Sequence, residues 1–326
     1  MEISVNPHIR SDWSTKRIML CVFLALIPSA IAGVYYFGYY ALMIIALSII
    51  SAQITELIGL WFMNKPAEFD GSAMVTGLIL ALILPPSAPL WAPVVGSAFA
   101  IVFFKLMFGG LGKNIFNPAA GGRVFLLLSF ASAMTFFPTP RGFNGSAITT
   151  SASTSASAAA GEIAATTGAS PLASVGSYSY MDLFLGRIPG SLGETCKLAI
   201  IIGGIILIAL GLIDYAVPLV YALTCMAIAL VAGADPLYHL LSGGLLFAAV
   251  FMATDYVTAP ITRRGRVVFA VGLGVLTMVT RLMVGTESIS YMILFMNGLA
   301  PLIDRFTVPR SFGQPKKERR ARKNEQ

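Results

Sequence analysis

The sequence is poor in charge. Only 11% of its 326 residues are Asp, Glu, Lys or Arg, against about 25% in an ordinary soluble domain. With 56% of the chain apolar, a soluble enzyme, a nucleic-acid-binding domain and a disordered segment are all excluded. The mean hydropathy of +0.80 agrees. Cysteine is scarce too. Cys21, Cys196 and Cys225 stand far apart with no CxxC spacing, so neither a zinc site nor a disulfide framework is encoded. Two histidines, His8 and His239, do not make a histidine metal cluster, and no metal site is expected. A cleaved signal peptide is not expected either: the first apolar run, 18–37, is too long and lacks a small-residue cleavage site.

What the chain has in quantity is long apolar runs. About 20 apolar residues cross the hydrocarbon core of a bilayer. Ten candidate spans are read at 18–37, 40–63, 70–85, 91–109, 118–134, 197–213, 216–233, 239–257, 265–284 and 287–304. Arg10, Lys16 and Arg17 precede the first, and the tail 305–326 carries eight basic residues. Cytoplasmic segments are enriched in Lys and Arg, so both termini read as cytoplasmic, which an even number of spans satisfies. Eighteen of the 22 basic residues then fall inside, leaving Arg141, Arg187, Lys197 and Arg281 outside. The net charge of +7 is first an orientation signal. Contact of the tail with anionic lipid or an acidic partner is the other reading.

The two halves resemble each other. Gly71, Pro86, Lys105, Gly109 and Asn117 find counterparts at Gly243, Pro260, Arg281, Gly285 and Asn297, at offsets of 172, 174, 176, 176 and 180 residues. An odd number of spans per half inserts the second half upside down, as in the inverted repeats of many transporters. The expected fold is an all-α integral membrane protein, with about ten transmembrane helices in two inverted five-helix repeats. The first repeat is 1–134, an outer loop rich in Ser, Thr and Ala is 135–196, the second repeat is 197–306, and 307–326 is a basic cytoplasmic tail. The run 70–85 is short, and Pro118, Pro260 and Pro301 punctuate others. Such features either mark discontinuous helices around a site or simply the ends of helices.

A few ionisable residues lie in or beside apolar runs, where charge is expensive: Glu56, Arg123, Asp255, Arg281 and Asp304. Asp255 ends the run Phe251-Met252-Ala253-Thr254 and precedes Thr258-Ala259-Pro260. It either caps backbone amides of a broken helix, pairs with an arginine, or serves as a cation or proton relay. Glu56 is a second ion-coupling candidate, and Asp304 reads as an inner-interface residue beside Arg305. In the outer loop, Gly168 permits a turn and Pro171 restrains the chain after it. Thr167-Gly168-Ala169-Ser170 would then stand on an exposed bend open to a modifying enzyme. By physics alone, plain linker or O-glycosylation is the better reading.

Several segments together resemble one family. They are Asn6-Pro7-His8-Ile9-Arg10, Gly109-Gly110-Leu111-Gly112 with Asn117-Pro118-Ala119, Thr167-Gly168-Ala169-Ser170-Pro171-Leu172, Met252-Ala253-Thr254-Asp255, and Asn297-Gly298-Leu299-Ala300-Pro301. In order and spacing they are similar to the RnfD family of Rnf electron-transport complexes, related to NqrB of the sodium-pumping NADH:quinone oxidoreductases. The resemblance implies a subunit of a prokaryotic inner-membrane complex that passes electrons between ferredoxin and NAD and couples the flow to Na⁺ or H⁺ movement. It implies covalent FMN, joined through its phosphate to a Thr or Ser hydroxyl on the outer face by a flavin transferase reading D-x-x-[ST]-G-A-[ST]. Ser170 stands at the attachment position, with Thr167, Gly168 and Ala169 completing the motif. Serine replaces the more usual threonine, and the Asp position is Ala164. A second, non-covalent flavin follows from the NqrB kinship without a position. Arg141 or Arg187 could pair with the phosphate; each is otherwise a solvated loop charge.

The chain carries no iron–sulfur ligand set and no GxGxxG fingerprint after a strand. It is expected to have no catalytic residues of its own, to depend on partner subunits bearing iron–sulfur clusters and flavin, and to bind no nucleic acid. The competing reading is a solute channel or transporter of the same architecture, because fold does not settle function.

Overall fold

The computed structural model describes residues 13–66, 69–140, 178–284 and 288–309. Among these every regular element is helical. Helix α1 (Thr15–Phe37) starts at Ser14, whose hydroxyl accepts from the Arg17 amide. Gly38, with φ of +80°, turns it directly into α2 (Tyr39–Phe62). These two and α12 (Arg263–Val284) are long and apolar enough to cross a membrane. The remaining elements are shorter. They are α3 (Ser72–Ile83), α4 (Trp91–Ile101, continued by a π-helical turn Val102–Leu106), α5 (Pro118–Ser129), α6 (Ala131–Met134), α7 (Tyr180–Leu185), α8 (Lys197–Ala209), α9 (Ala216–Val231), α10 (Pro236–Leu241), α11 (Leu245–Phe247, continued by a π-helical turn Ala248–Met252) and α13 (Ile289–Thr307).

At 1.5 Å per residue, α3 covers about 18 Å, well short of a bilayer's apolar thickness. It is apolar on nearly every side, and ten of its twelve residues are buried. That is the pattern of a helix enclosed by others rather than facing lipid. The run read as one span at 239–257 is likewise broken, into α10 and α11 with Gly243 between them. Gly71 and Gly243 both take left-handed backbone, φ +80° and +61°. Only glycine does so without steric cost, and each glycine lies one or two residues before a short helix.

Small residues let the helices approach closely, as membrane interfaces require. A Cβ on Gly203 of α8 would meet the Ala25 carbonyl of α1 at 2.2 Å. One on Gly77 of α3 would lie 2.8 Å from the Ser48 carbonyl oxygen of α2, where Ser48 Oγ donates to the Gly77 carbonyl at 2.7 Å. On α9, the Tyr221 hydroxyl and Thr277 Oγ1 of α12 are 2.9 Å apart.

The end of the long outer loop differs from the sequence expectation. Residues 188–197 are not solvated but buried in the helical body, apart from the partly buried Gly190 and Cys196. The Leu192 and Gly193 amides donate to the Leu84 and Leu82 carbonyls at 3.1 and 2.7 Å. A helix ends with carbonyls that lack partners; this strap supplies them where α3 stops. Lys197, read as an outer charge, is fully buried. Its Nζ donates to the Glu194 and Gly243 carbonyls. Asp304 is held by backbone rather than set beside Arg305 alone: its carboxylate accepts from the Ile261 amide at 3.0 and 3.3 Å.

Asp235 caps α10, accepting from the Leu237 and Tyr238 amides at 3.0 and 3.1 Å. The Tyr180 hydroxyl of α7 donates to the same carboxylate. That hydroxyl first, and then the backbone amides, hold the Asp235 carboxyl below its ordinary value. A depressed carboxylate contributes stability above its unfolded pKa and loses it as pH falls through the lowered folded value. The protection factors of the Leu237 and Tyr238 amides against hydrogen exchange should therefore drop on acidification through the carboxylate range. Asp235→Asn should remove that pH dependence while keeping the cap.

Candidate functional site

The broken helices leave a cavity of about 90 Å³ between them. Its polar lining comes from Ser72 and Thr76 at the start of α3, Lys105 in the π-helical turn of α4, Asn114 and Asn117 before α5, and Thr254 and Asp255 after α11. Its apolar walls include Met19 and Val22 of α1 and Phe251.

Asn117 starts α5 for the usual reasons: its Oδ1 accepts from the Ala120 amide at 3.2 Å, and Pro118 follows at the first helical position. Its own amide donates to Asn297 Oδ1 of α13 at 3.1 Å. Asn297 Nδ2 donates in turn to the Thr258 carbonyl at 3.1 Å. Asn297 is 1% exposed and Thr258 2%, so these bonds lie out of water. Asp255 closes the series. Its Oδ2 accepts from Thr258 Oγ1 at 3.0 Å, and its Oδ1 meets the Val257 amide at 3.5 Å. Of the three readings of Asp255, capping the turn after a broken helix is the geometry observed. Its hydrogen bonds go to its own turn and not to an arginine among the described residues.

Glu56 on α2 forms a buried ion pair with Lys105 on α4. Lys105 also donates to Ser72 Oγ, whose hydroxyl and amide are bound by Asp70 Oδ1. The cluster thus fastens the first turn of α3, and only its lysine and serine reach the cavity. Glu56 is not among the lining residues, so the two ion-coupling candidates, Glu56 and Asp255, are not brought together; Lys105 pairs with Glu56 and lines the same cavity as Asp255.

A second buried cluster lies around the start of α11. Arg123 of α5 pairs with Glu194 of the strap at 3.1 Å. Arg281 of α12 donates to the His239 and Ser242 carbonyls at 2.7 and 3.2 Å. Sequence reasoning finds both arginines and misses Glu194, which sits among loop residues with no apolar run around it. The flavin-attachment candidates Thr167, Gly168, Ala169 and Ser170 lie outside the described residues, as does Arg141. Arg187 stands on the surface, 3.9 Å from Asp182, the position of a solvated loop charge.

Comparison with known proteins bears on this arrangement. The family model for the NQR2, RnfD, RnfE family matches residues 2–313. A relative from Acetobacterium woodii, named as the D component of a Na(+)-translocating ferredoxin:NAD(+) oxidoreductase complex, is 42% identical over 99% of this chain and 98% of its own length. A Clostridium ljungdahlii protein, named as the D component of a proton-translocating ferredoxin:NAD(+) oxidoreductase complex, is 40% identical over 95% of this chain and 96% of its own. The D component of an ion-translocating oxidoreductase complex from Stutzerimonas stutzeri is 42% identical over 92% and 93%.

Removing one member of a buried ion pair strands the other charge and costs about 3–5 kcal/mol. Lys105→Met should lower the stability of the detergent-solubilised protein by that order in thermal unfolding. Glu56→Leu combined with Lys105→Met should recover most of the loss; equal losses in the single and double variants would mean that the pair is not energetically coupled.

Proposed function

The chain belongs to the NQR2, RnfD, RnfE family, and from that premise we propose that it is the RnfD component of an ion-translocating ferredoxin:NAD oxidoreductase complex. One observation carries this reading: proteins named as that component align with nearly all of this chain and nearly all of their own length. The chain acts within the complex and not alone. Partner subunits supply the iron–sulfur and flavin sites that accept and deliver electrons, and the complex sits in the prokaryotic cytoplasmic membrane.

In this reading the chain crosses the bilayer ten times, as two inverted halves with both termini cytoplasmic and 135–196 largely outside. Two features support the repeat. In each half a left-handed glycine precedes a short buried helix. In each half a buried cation one helix later reaches the serine beside that glycine: Lys105 to Ser72, and Arg281 to Ser242.

The outer loop carries FMN as a phosphoester on Ser170, installed by a flavin transferase that reads Thr167-Gly168-Ala169-Ser170. The tether fixes the local concentration of the flavin, and the flavin supplies the electron-relay chemistry. The cavity lined by Asn114, Asn117, Thr254 and Asp255 does not fit a second, non-covalent flavin, which is left without a position. About 90 Å³ holds a few waters and not three fused rings. Asp255, and Glu56 behind Lys105, are the carboxylates for ion coupling. A solute channel of the same architecture would carry no bound flavin.

The denatured subunit, made with a flavin transferase, should fluoresce as a flavoprotein band on a gel, and Ser170→Ala should abolish the signal. Fluorescence that survives the substitution moves the attachment elsewhere; a dark parent band removes the covalent flavin. In the intact complex, Asp255→Asn should lower the number of ions moved per electron, and an unchanged ratio would dismiss Asp255 as a coupling group.

A further inference from the structure

We propose that Thr258 and Asn297 are positioning residues for Asp255, forming a hydrogen-bonded bridge that ties this carboxylate to the first turn of α5 on the far side of the cavity. The proposal rests on Asp255 as a coupling carboxylate. Its steps are all present: Thr258 Oγ1 donates to Asp255 Oδ2, the Thr258 carbonyl accepts from Asn297 Nδ2, Asn297 Oδ1 accepts from the Asn117 amide, and Asn117 Oδ1 accepts from the Ala120 amide.

The bridge has a direction. A carboxylate that is ionised accepts from the Thr258 hydroxyl; one that is protonated or has turned to a cation no longer requires that donor. Rotation of the threonine therefore responds to the state of Asp255. Asn297 holds the threonine backbone with one end of its amide and α5 with the other, so neither can shift alone. Thr258, Asn297 and Asn117 are all buried, where losing a partner costs the full desolvation penalty. The other ionisable groups lining the cavity are Lys105 and Tyr256. Neither is bonded to Thr258 or Asn297 by any contact found among the described residues. Asn117 and Asn297 also occupy corresponding places in the two halves, 180 residues apart. The bridge is thus one point where the proposed repeats meet, beside the cavity.

The test uses inverted membrane vesicles containing the whole complex, driven by reduced ferredoxin and NAD. The rate is followed against Na⁺ at fixed pH and against pH at fixed Na⁺, and ions moved per electron are measured. Thr258→Val keeps size and removes the hydroxyl. It should lower the half-saturating concentration of whichever ion the parent requires about tenfold, because the ion-free carboxylate loses a hydrogen bond that the ion-bound one does not need. The rate at saturating ion should stay within about twofold, whereas a merely structural lesion would lower that rate. Thr258→Ser should restore the parent value. Asn297→Leu, the second arm if Thr258→Val does not accumulate, should move the half-saturating concentration the same way. Equal behaviour of the Val and Ser variants, or a parent-like Asn297→Leu, overturns the proposal. If Asp255→Asn uncouples the complex while the Thr258 and Asn297 variants do not change its ion dependence, only the bridge fails. If Asp255→Asn itself leaves coupling intact, or the parent rate depends on neither ion, the coupling role of Asp255 fails and the bridge with it.

Discussion

Backbone that lies at membrane depth has no water to bond to, so each amide and carbonyl must find a partner inside the protein. Continuous helices meet this demand automatically. This chain breaks its helices, at Gly71 and at Gly243, and each break exposes groups that only side chains or neighbouring segments of backbone can serve. Several of the buried polar residues answer that demand. Lys105 and Asp70 hold the start of α3, and the Leu192 and Gly193 amides hold its end. Lys197 and Arg281 take the carbonyls around the start of α11. Of these groups Lys105 also lines the cavity, beside Ser72, whose hydroxyl it holds.

Buried charges arranged in this way are costly to create and expensive to disturb. Replacing such a pair with apolar residues is often neutral for stability, so stability alone gives little reason for Glu56–Lys105 or Arg123–Glu194. Both pairs do join elements distant in sequence: α2 to α4, and α5 to the strap before α8. Their effect is to specify which helix end meets which. For a bundle of many short helices of similar apolar composition, that specification is the harder problem. Asp255, by contrast, is held by its own turn rather than by a fixed cation.

Much of this architecture is legible in the amino-acid order. The long runs at α1, α2 and α12 are plain because hydropathy over 20 residues is a strong signal. The break near Gly71 shows as a short run, and Asp255 as a charge at the end of one. The break at Gly243 does not show, since 239–257 reads as continuously apolar and glycine alone does not announce a left-handed turn. Glu194 and Lys197 read as outer-loop residues because their neighbours are small and polar. The burial of Glu194 depends on Arg123, 71 residues away, and pairing at that distance leaves no local pattern. Asn117 and Asn297 stand out as motif residues, but only the fold shows that one bonds the other.

The start of α7 has a geometric consequence. Ser179 caps α7, and Tyr180 is tied to Asp235, so the chain is moored just after the flavin-attachment candidate. Nine residues separate Ser170 from that mooring, and an extended chain spans at most about 3.3–3.6 Å per residue. Anything carried on Ser170 is therefore leashed within roughly 30 Å of the outer end of α7. A flavin carried there, as proposed, would have to meet its donor and acceptor inside that radius, which would turn a loop of plain composition into a limit on where neighbouring subunits can stand.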